Sequence, residues 1–379
     1  MAMPSPSFAS RRRWPWVVVV LAVIVAGLWT VLWRFAAAKV EITIAGWRAR
    51  EATVGRIYNC ATQTIGGFPF RIEVRCAFPS MELRSARPSM ELKWKDMHIV
   101  ASIYQPTQLA SEFAGPLTIG ELGRPASLVV NWRQARTRMQ GLPTAPERIT
   151  TVLDEPSIDR LAEGGKETVF KASRVEFTGH MVEGSVKNSP VIEFALKLVG
   201  ASAAAIHPAA AAPVDADITA VLRGLKDFSP KLWSERFREI QSAGGRIEVT
   251  KARLQQGDSV ALAAGNIGLS PRGRLNGELQ VTIANLEKLL PALGLDRLLS
   301  QQTAPGGQLN SAFGALDRLA PGLGNFARQN AGPAVIAGLN FLGQPTELEG
   351  KRAFTLPLRF SDGSASLGPI PLGMTAALY

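Results

Sequence analysis

Apolar residues recur at every second position along most of this chain, and that period dictates strands rather than helices. Ile72, Val74 and Cys76 alternate with Arg71, Glu73 and Arg75, and Met90, Leu92 and Trp94 alternate with Glu91, Lys93 and Lys95. The spacing returns at Leu128, Val130 and Trp132, at Ile218, Ala220 and Leu222, and from Leu275 through Leu279 and Val281 to Ile283. Near the end, Phe354, Leu356, Leu358 and Phe360 lead to Asp362-Gly363, a two-residue hairpin signal, and then to Ala365 and Leu367. Strands with one apolar and one polar face build an antiparallel sheet. Helical spacing is rarer. Trp233, Phe237 and Ile240 follow Ser229-Pro230, a cap and first position, and run to Gly244-Gly245. Asn285 before Leu286, Leu289, Leu290 and Leu293, and the set Leu309, Phe313 and Leu316, suggest two more helices.

One segment breaks the alternation entirely. Trp14 to Trp33 is a twenty-residue uncharged run, and a helix of that length crosses the roughly 30 Å core of a bilayer. Arg11, Arg12 and Arg13 precede it, Arg34 and Lys39 follow, and Trp14, Trp16, Trp29 and Trp33 mark its ends. Basic flanks of this kind keep the N-terminus cytoplasmic and export the remainder. A cleaved signal peptide is the alternative, since Ala36-Ala37-Ala38 offers a peptidase small residues, but the run exceeds the usual apolar region of a signal. The expected organisation is a cytoplasmic N-terminus (1–13), a transmembrane signal anchor (14–33), the first half of an exported β-rich domain (34–200), an Ala/Pro linker or loop (201–213), and a second half (214–379). The expected class is α+β, mostly antiparallel β, with a transmembrane helix ahead of a large curled, groove-like or sandwich-like sheet and a few amphipathic helices.

Both cysteines of the chain, Cys60 and Cys76, fall in the exported part and flank a hairpin. An even count outside the cytosol suggests a disulfide, and folding the hairpin about Phe68 sets the two opposite each other. Two unpaired, buried thiols are the alternative. The bend between them, Gly67-Phe68-Pro69-Phe70-Arg71, is apolar where a soluble hairpin would be polar. Its glycine supplies unusual φ and Pro69 stiffens the turn, so Phe68 and Phe70 are expected to pack inward.

Catalytic and metal motifs are absent from the pattern. His98, His180 and His207 stand in unrelated contexts, and the paired acids Asp154-Glu155 and Asp215/Asp217 adjoin the prolines of turns, where acids are ordinary. No phosphate-cradling loop occurs. The expectation is a protein that is not an enzyme and carries no cofactor and no metal. The net charge is +11, and setting aside the three leading arginines leaves +8 dispersed over the rest. Anionic membrane surfaces attract such a chain, whereas nucleic acid is not expected, because aromatic residues do not interleave with the basic ones.

Three segments together carry a family resemblance. The corner Gly67 to Arg71 behind an N-terminal span, the stretch Gly265-Asn266-Ile267-Gly268-Leu269 with Gly273-Arg274-Leu275-Asn276-Gly277, and the ending from Phe354 to Leu372 resemble domain of unknown function family 2125, uncharacterised bacterial envelope proteins. More loosely, amphipathic strands behind one span are similar to AsmA-like proteins, which are thought to hold lipids along a curled sheet. The resemblance implies a single-pass protein of the bacterial inner membrane with its C-terminal domain in the periplasm. It supplies no catalytic residues. The functional expectation is lipid bound in an apolar sheet groove for lipid transport or envelope maintenance, with Leu275, Leu279, Val281, Leu356, Leu358 and Phe360 as candidate lipid-facing positions. Membrane lipid, the inner membrane and envelope proteins are the expected partners. The alternative is a non-enzymatic structural or assembly factor whose sheet is filled by its own side chains.

Overall fold

The computed structural model describes residues 14–142, 146–162, 164–206, 208–285, 344–368 and 370–379. It opens with α1 (Trp14–Ala52), a helix of 39 residues. The uncharged run forms its first half as expected. Residues 34–52, expected in the β-rich domain, instead prolong the helix, because Arg34, the alanines 36–38 and Lys39 are good helix formers and nothing breaks the run before Gly55. Gly55 takes φ 76° and its N–H bonds to the Ala52 carbonyl, closing the helix end.

Next, β1 (Arg56–Gly66) and β2 (Arg71–Leu83) form a hairpin around the apolar corner. From there the chain meanders, and each of the next five long strands is broken once along its length. The broken strands are β3 (Met90–Lys93) with β4 (Asp96–Ser102), β5 (Gln105–Ala114) with β6 (Leu117–Glu121), and β7 (Ala126–Asn131) with β8 (Gln134–Gln140). The pattern continues in β9 (Arg148–Asp154) with β10 (Ser157–Ala162), and in β11 (Gly165–Lys171) with β12 (Arg174–Ser185). Their parts sort into two antiparallel arms that both start at β2. One runs β2-β4-β5-β8-β9-β12, and the other β2-β3-β6-β7-β10-β11. The arms meet again at β13 (Asn188–Ala201), along which β12 pairs, while Lys171 of β11 bridges Ser202 just beyond it.

The breaks therefore align as a crease across the sheet. Phe78 and Glu155 adopt φ 47° and 51° there. Backbone bonds continue through it: Phe78 N–H donates to the Lys95 carbonyl, Lys95 to Ala114, Arg133 to Asp154, and Glu155 to Ser173. No polar backbone in those four links is left without a partner, which is the condition for bending a sheet without losing its ladder. The inserted residues also shift the alternation by one. Val74 and Cys76 are followed by Met81 and Leu83, and Leu128 and Val130 by Ala135, Thr137 and Met139, as bulges do to the facing of a strand.

Behind the crease the sheet continues as β14 (Val214–Arg223), β15 (Arg246–Gln256), β16 (Ser259–Leu269), β17 (Leu275–Ala284), β18 (Gln344–Leu348), β19 (Lys351–Ser361), β20 (Ser364–Leu367) and β21 (Ile370–Met374). Pairing proceeds β13-β14-β15-β16-β17-β19-β20-β21, and β18 folds back on β19. Among its described residues the Ala/Pro segment contains one 3-10 turn, Pro208–Ala211, and it connects β13 and β14, which pair as neighbours in the sheet. Asp362 and Gly363, with φ 47° and 86°, make the expected two-residue turn between β19 and β20.

The amphipathic helix α2 spans Trp233–Ser242 and starts three residues later than the Ser229-Pro230 signal implies. Ser229 is used elsewhere: its N–H and hydroxyl both donate to Asp227, and its carbonyl accepts from Arg236. Leu232 takes the cap position, with Glu235 Oε2 accepting from its N–H at 3.4 Å. The two helices expected from Leu286 to Leu293 and at Leu309 to Leu316 lie outside the described residues.

One contact measures the curl of the sheet. Arg56 at the start of β1 donates to the carbonyl of Lys231, between β14 and β15, at 3.2 Å. In a flat sheet the eight strand spacings from β1 to β14 would separate them by roughly 38 Å. The sheet must roll to bring them together, yet it is not closed, since β1 pairs only with β2 and β21 only with β20 among the described residues.

Candidate functional site

Register places one set of side chains on a common face across the whole front arm and into the back half. From β2 onward the facing residues are Val74, Ile99, Ser111, Thr137, Thr151 and Phe177, then Leu196 and Ile218. Flanking rows add Met97, Phe113, Leu153, Val175 and Leu198 on one side and Leu109, Met139, Ile149 and Phe194 on the other. The face is continuous in register because each hairpin keeps the period-two phase of its neighbours, with apolar side chains interrupted in the central row by Ser111, Thr137 and Thr151, the two threonines bonded to each other at 3.0 Å.

The six candidate lipid-facing residues lie on this face at its back end. Leu279 pairs with Leu358, Val281 with Leu356, and Gly277 with Phe360. Leu279, Val281 and Leu356 are buried, Leu356 completely, in one cluster with Ile283, Phe354 and Leu367, and Leu358 packs against that cluster. Leu275 and Phe360 are half-buried. This end of the face is packed. Two glycines let the strands close on it: Gly265 and Gly277 hold φ 146° and 148°, and a Cβ on either would lie 2.3 and 2.2 Å from the carbonyls of Glu278 and Asn266. That requirement accounts for two of the glycines in the stretch from Gly265 to Gly277.

Forward of the cluster Val74, Cys76, Ala135 and Thr137 are buried, but most of the apolar side chains on the same face are only half-covered. Met97, Ile99, Phe113, Met139, Leu153, Val175, Phe194, Leu196 and Leu198 are partly buried, and Phe177 is 39% exposed. Of the described helices, α1 runs beside β1 and reaches the β1 edge of this face, where Trp47 packs on Tyr58 and Arg48 bonds to Gln63, and α2 lies beside β16. Of the six candidate positions, Leu279, Val281 and Leu356 are covered by the protein itself, and the less covered side chains lie further forward. The signal missed in the sequence was the phase change of the alternation at Trp94-Lys95 and Trp132-Arg133, which assigns Met97, Ile99 and Met139 to the apolar set.

The opposite face is polar. Arg148, Glu176, Thr178, His180, Glu193 and Lys197 line a depression there, with His180 Nδ1 3.7 Å from Glu193 Oε1. The acids noted in the sequence are tied into ion pairs or caps. Asp154 accepts from Arg174 at 3.0 Å, and Asp215 accepts from the Gly200 N–H. A hydrogen bond from Lys251 holds the Asp217 carboxyl below the usual carboxylate range, against the opposing effect of burial. Asp159, 2% exposed, is the most enclosed acid of the second arm, held by Lys166, Asn131 and Thr168. His207 lies outside the described residues.

At the corner, the expectation of inward packing fails. Phe68 and Phe70 are exposed, and their neighbours are the helix and the next turn. The Trp29 indole donates to the Pro69 carbonyl at 2.9 Å and the Trp33 indole to the Arg71 carbonyl at 3.0 Å. Trp33 meets Phe68 edge to face at 5.6 Å, and Phe70 stacks on Tyr104 at 6.0 Å. Under the corner, Glu73 is buried among Arg71, Arg75 and His98. Burial pushes its carboxyl pKa up, and the adjacent Arg71 with hydrogen bonds from His98 and Arg75 outweighs it, so the net direction is down.

Cys60 and Cys76 form a disulfide, with Cα atoms 5.6 Å apart. They are not directly opposite, however: Cys60 faces Pro79 and Cys76 faces Gln63. The hairpin turns between Pro69 and Phe70 rather than at Phe68, and the bridge runs diagonally where Phe78 bends β2 at the crease.

These features define a class: a curled antiparallel sheet, apolar on one face, behind an N-terminal helix long and apolar enough to cross a membrane. The chain belongs to the family described as uncharacterised proteins conserved in bacteria, DUF2125, which it matches over residues 33–376. No curated protein matches it.

Proposed function

We propose that this is a membrane-anchored protein of the bacterial envelope, exported on its C-terminal side, that holds a lipid acyl chain against the half-covered front face of its sheet. The observation that carries the reading is the contrast along one face. At the back, Leu279, Val281 and Leu356 are buried, whereas at the front Phe177 is 39% exposed and Val175, Phe194 and Leu196 beside it are only partly buried. Each methylene laid on such a surface contributes roughly 0.8 kcal/mol, so even half an acyl chain would be retained against dilution. The role is binding rather than catalysis, in the service of lipid movement or envelope maintenance.

A photoreactive fatty acid incubated with the purified full chain tests this. Cross-links mapped by mass spectrometry should fall on β4, β5, β8, β9, β12 and β13, and Phe177→Asp with Leu196→Asp should abolish them while the circular-dichroism spectrum is unchanged. Cross-links confined to α1, or none in the folded protein, would reject the lipid reading in favour of a structural or assembly role.

A further inference from the structure

The corner Gly67 to Arg71 is built the wrong way round for water. Phe68 and Phe70 are 52% and 55% exposed, and Tyr104, in the turn between β4 and β5, is 71% exposed. The two turns are joined, since the Ile103 N–H donates to the Phe70 carbonyl at 3.0 Å and the Phe70 and Tyr104 rings stack. Three aromatic rings thus share one outward-facing tip, whereas single exposed apolar residues would need no explanation.

The position of that tip along α1 identifies what covers it. Its carbonyls at Pro69 and Arg71 are held by Trp29 and Trp33, and Trp33 is the last residue of the uncharged run. At 1.5 Å per residue, Trp29 lies about 6 Å inside the end of that run. A membrane-embedded amphipathic element buries its apolar side about 5–10 Å into the boundary between headgroups and acyl chains. The tip is therefore fixed beside α1 at interfacial depth. Arg34 and Lys39 follow on the helix at the level of the lipid phosphates, and Trp29 and Trp33 are the residues that favour this layer.

We propose that Phe68, Phe70 and Tyr104 form an aromatic wedge inserted into the same bilayer leaflet from which α1 emerges. The wedge is a second membrane contact besides the helix. It fixes the sheet's orientation, with the turn edge that bears β1/β2 and β4/β5 on the membrane and the opposite edge, at β6/β7, away from it. This does not depend on whether the front face holds a lipid. A protein partner at the tip would be the competing occupant. Nothing in the charge around the rings selects one, while the two indole hydrogen bonds tie the tip to the span itself.

The test uses the full chain in vesicles of phosphatidylethanolamine and phosphatidylglycerol. Tyr104→Cys, Leu28→Cys and Arg124→Cys are each labelled with an environment-sensitive fluorophore through a maleimide, which spares the disulfide. Leu28 reports the span and Arg124, in the β6/β7 turn, reports water. The label at 104 should lose fluorescence to doxyl groups carried on lipid chains near the headgroups and none to aqueous iodide, whereas the label at 124 should behave the opposite way. A label at 104 that iodide quenches as it does at 124 overturns the wedge, and so does one shielded from both quenchers, which would mean a protein cover. A label at 28 that escapes lipid-borne quenching would overturn the anchor and the wedge together. If Tyr104→Cys fails to fold, Phe68→Cys carries the same label at the same tip.

Discussion

The Trp29 indole nitrogen sits 2.9 Å from the carbonyl oxygen of Pro69, forty positions later in the chain. With the matching bond from Trp33 to Arg71, it makes the helix and the first hairpin one unit. Trp29→Phe with Trp33→Phe keeps the aromatic rings and removes both donors. Each bond contributes about 0.5–1.5 kcal/mol, so hydrogen exchange of the amides from Thr64 to Phe78 should speed up several-fold in the double variant, while amides of β15 and β16 stay unchanged. Unaltered exchange at the corner would show that packing alone holds it to α1.

The disulfide is expected to stabilise rather than to react. Its sequence separation of 16 corresponds to about 3 kcal/mol in the chain-entropy picture. Cys60→Ser with Cys76→Ser should lower the denaturant midpoint accordingly, and non-reducing peptide mapping of the parent chain should recover the two peptides joined. Free alkylation of both thiols under oxidising conditions would contradict the bridge.

Gly265 and Gly277 are among the positions least tolerant of a side chain. At φ 146° and 148° an alanine already carries about 1–3 kcal/mol of backbone strain, and its Cβ would overlap the carbonyls of Glu278 and Asn266. Gly265→Ala and Gly277→Ala should each cost more than Gly123→Ala, where the added Cβ meets nothing within 4 Å. Thermal unfolding of the three variants ranks them. Equal costs at all three would mean that the strands can shift to admit a methyl group.

Acid should loosen the corner. Glu73 has a folded-state pKa below its ordinary value of 4.5, so the folded chain binds fewer protons there than the unfolded one. Its contribution to stability is complete above that ordinary value and is lost as pH falls below it. Glu73→Gln removes this dependence, and the gap between parent and variant midpoints should narrow as pH drops under 4.5. A gap that stays constant through that range would place the acid sensitivity elsewhere.

Local chemistry was legible in the sequence where it is governed by near neighbours. The apolar helix at Trp14 to Trp33, most strands, the Asp362-Gly363 turn and the cysteine pairing follow from periodicity, composition and backbone preference, whereas the change of apolar phase at Trp94 and Trp132 does not. The start of α2 did not, because Arg236 claims the Ser229 carbonyl through a contact that no capping rule contains. The disulfide was right as a pairing and three positions off in cross-strand register, since the bend at Phe78 brings Cys60 near Cys76 without making them opposite.

What the tertiary structure alone decided is how the apolar surface is divided. Period two tells which side chains share a face, and it makes Leu279 and Leu358 indistinguishable from Phe177 and Leu196. Whether such a face is covered depends on the crease, on the roll that joins Arg56 to Lys231, and on the close approach permitted at Gly265 and Gly277. Each of these arises from residues far apart in the chain meeting at van der Waals distance. The same holds for the corner: Phe68 and Phe70 look like core residues by composition, yet they lie exposed in a turn whose carbonyls at Pro69 and Arg71 are bonded to Trp29 and Trp33 of the apolar helix.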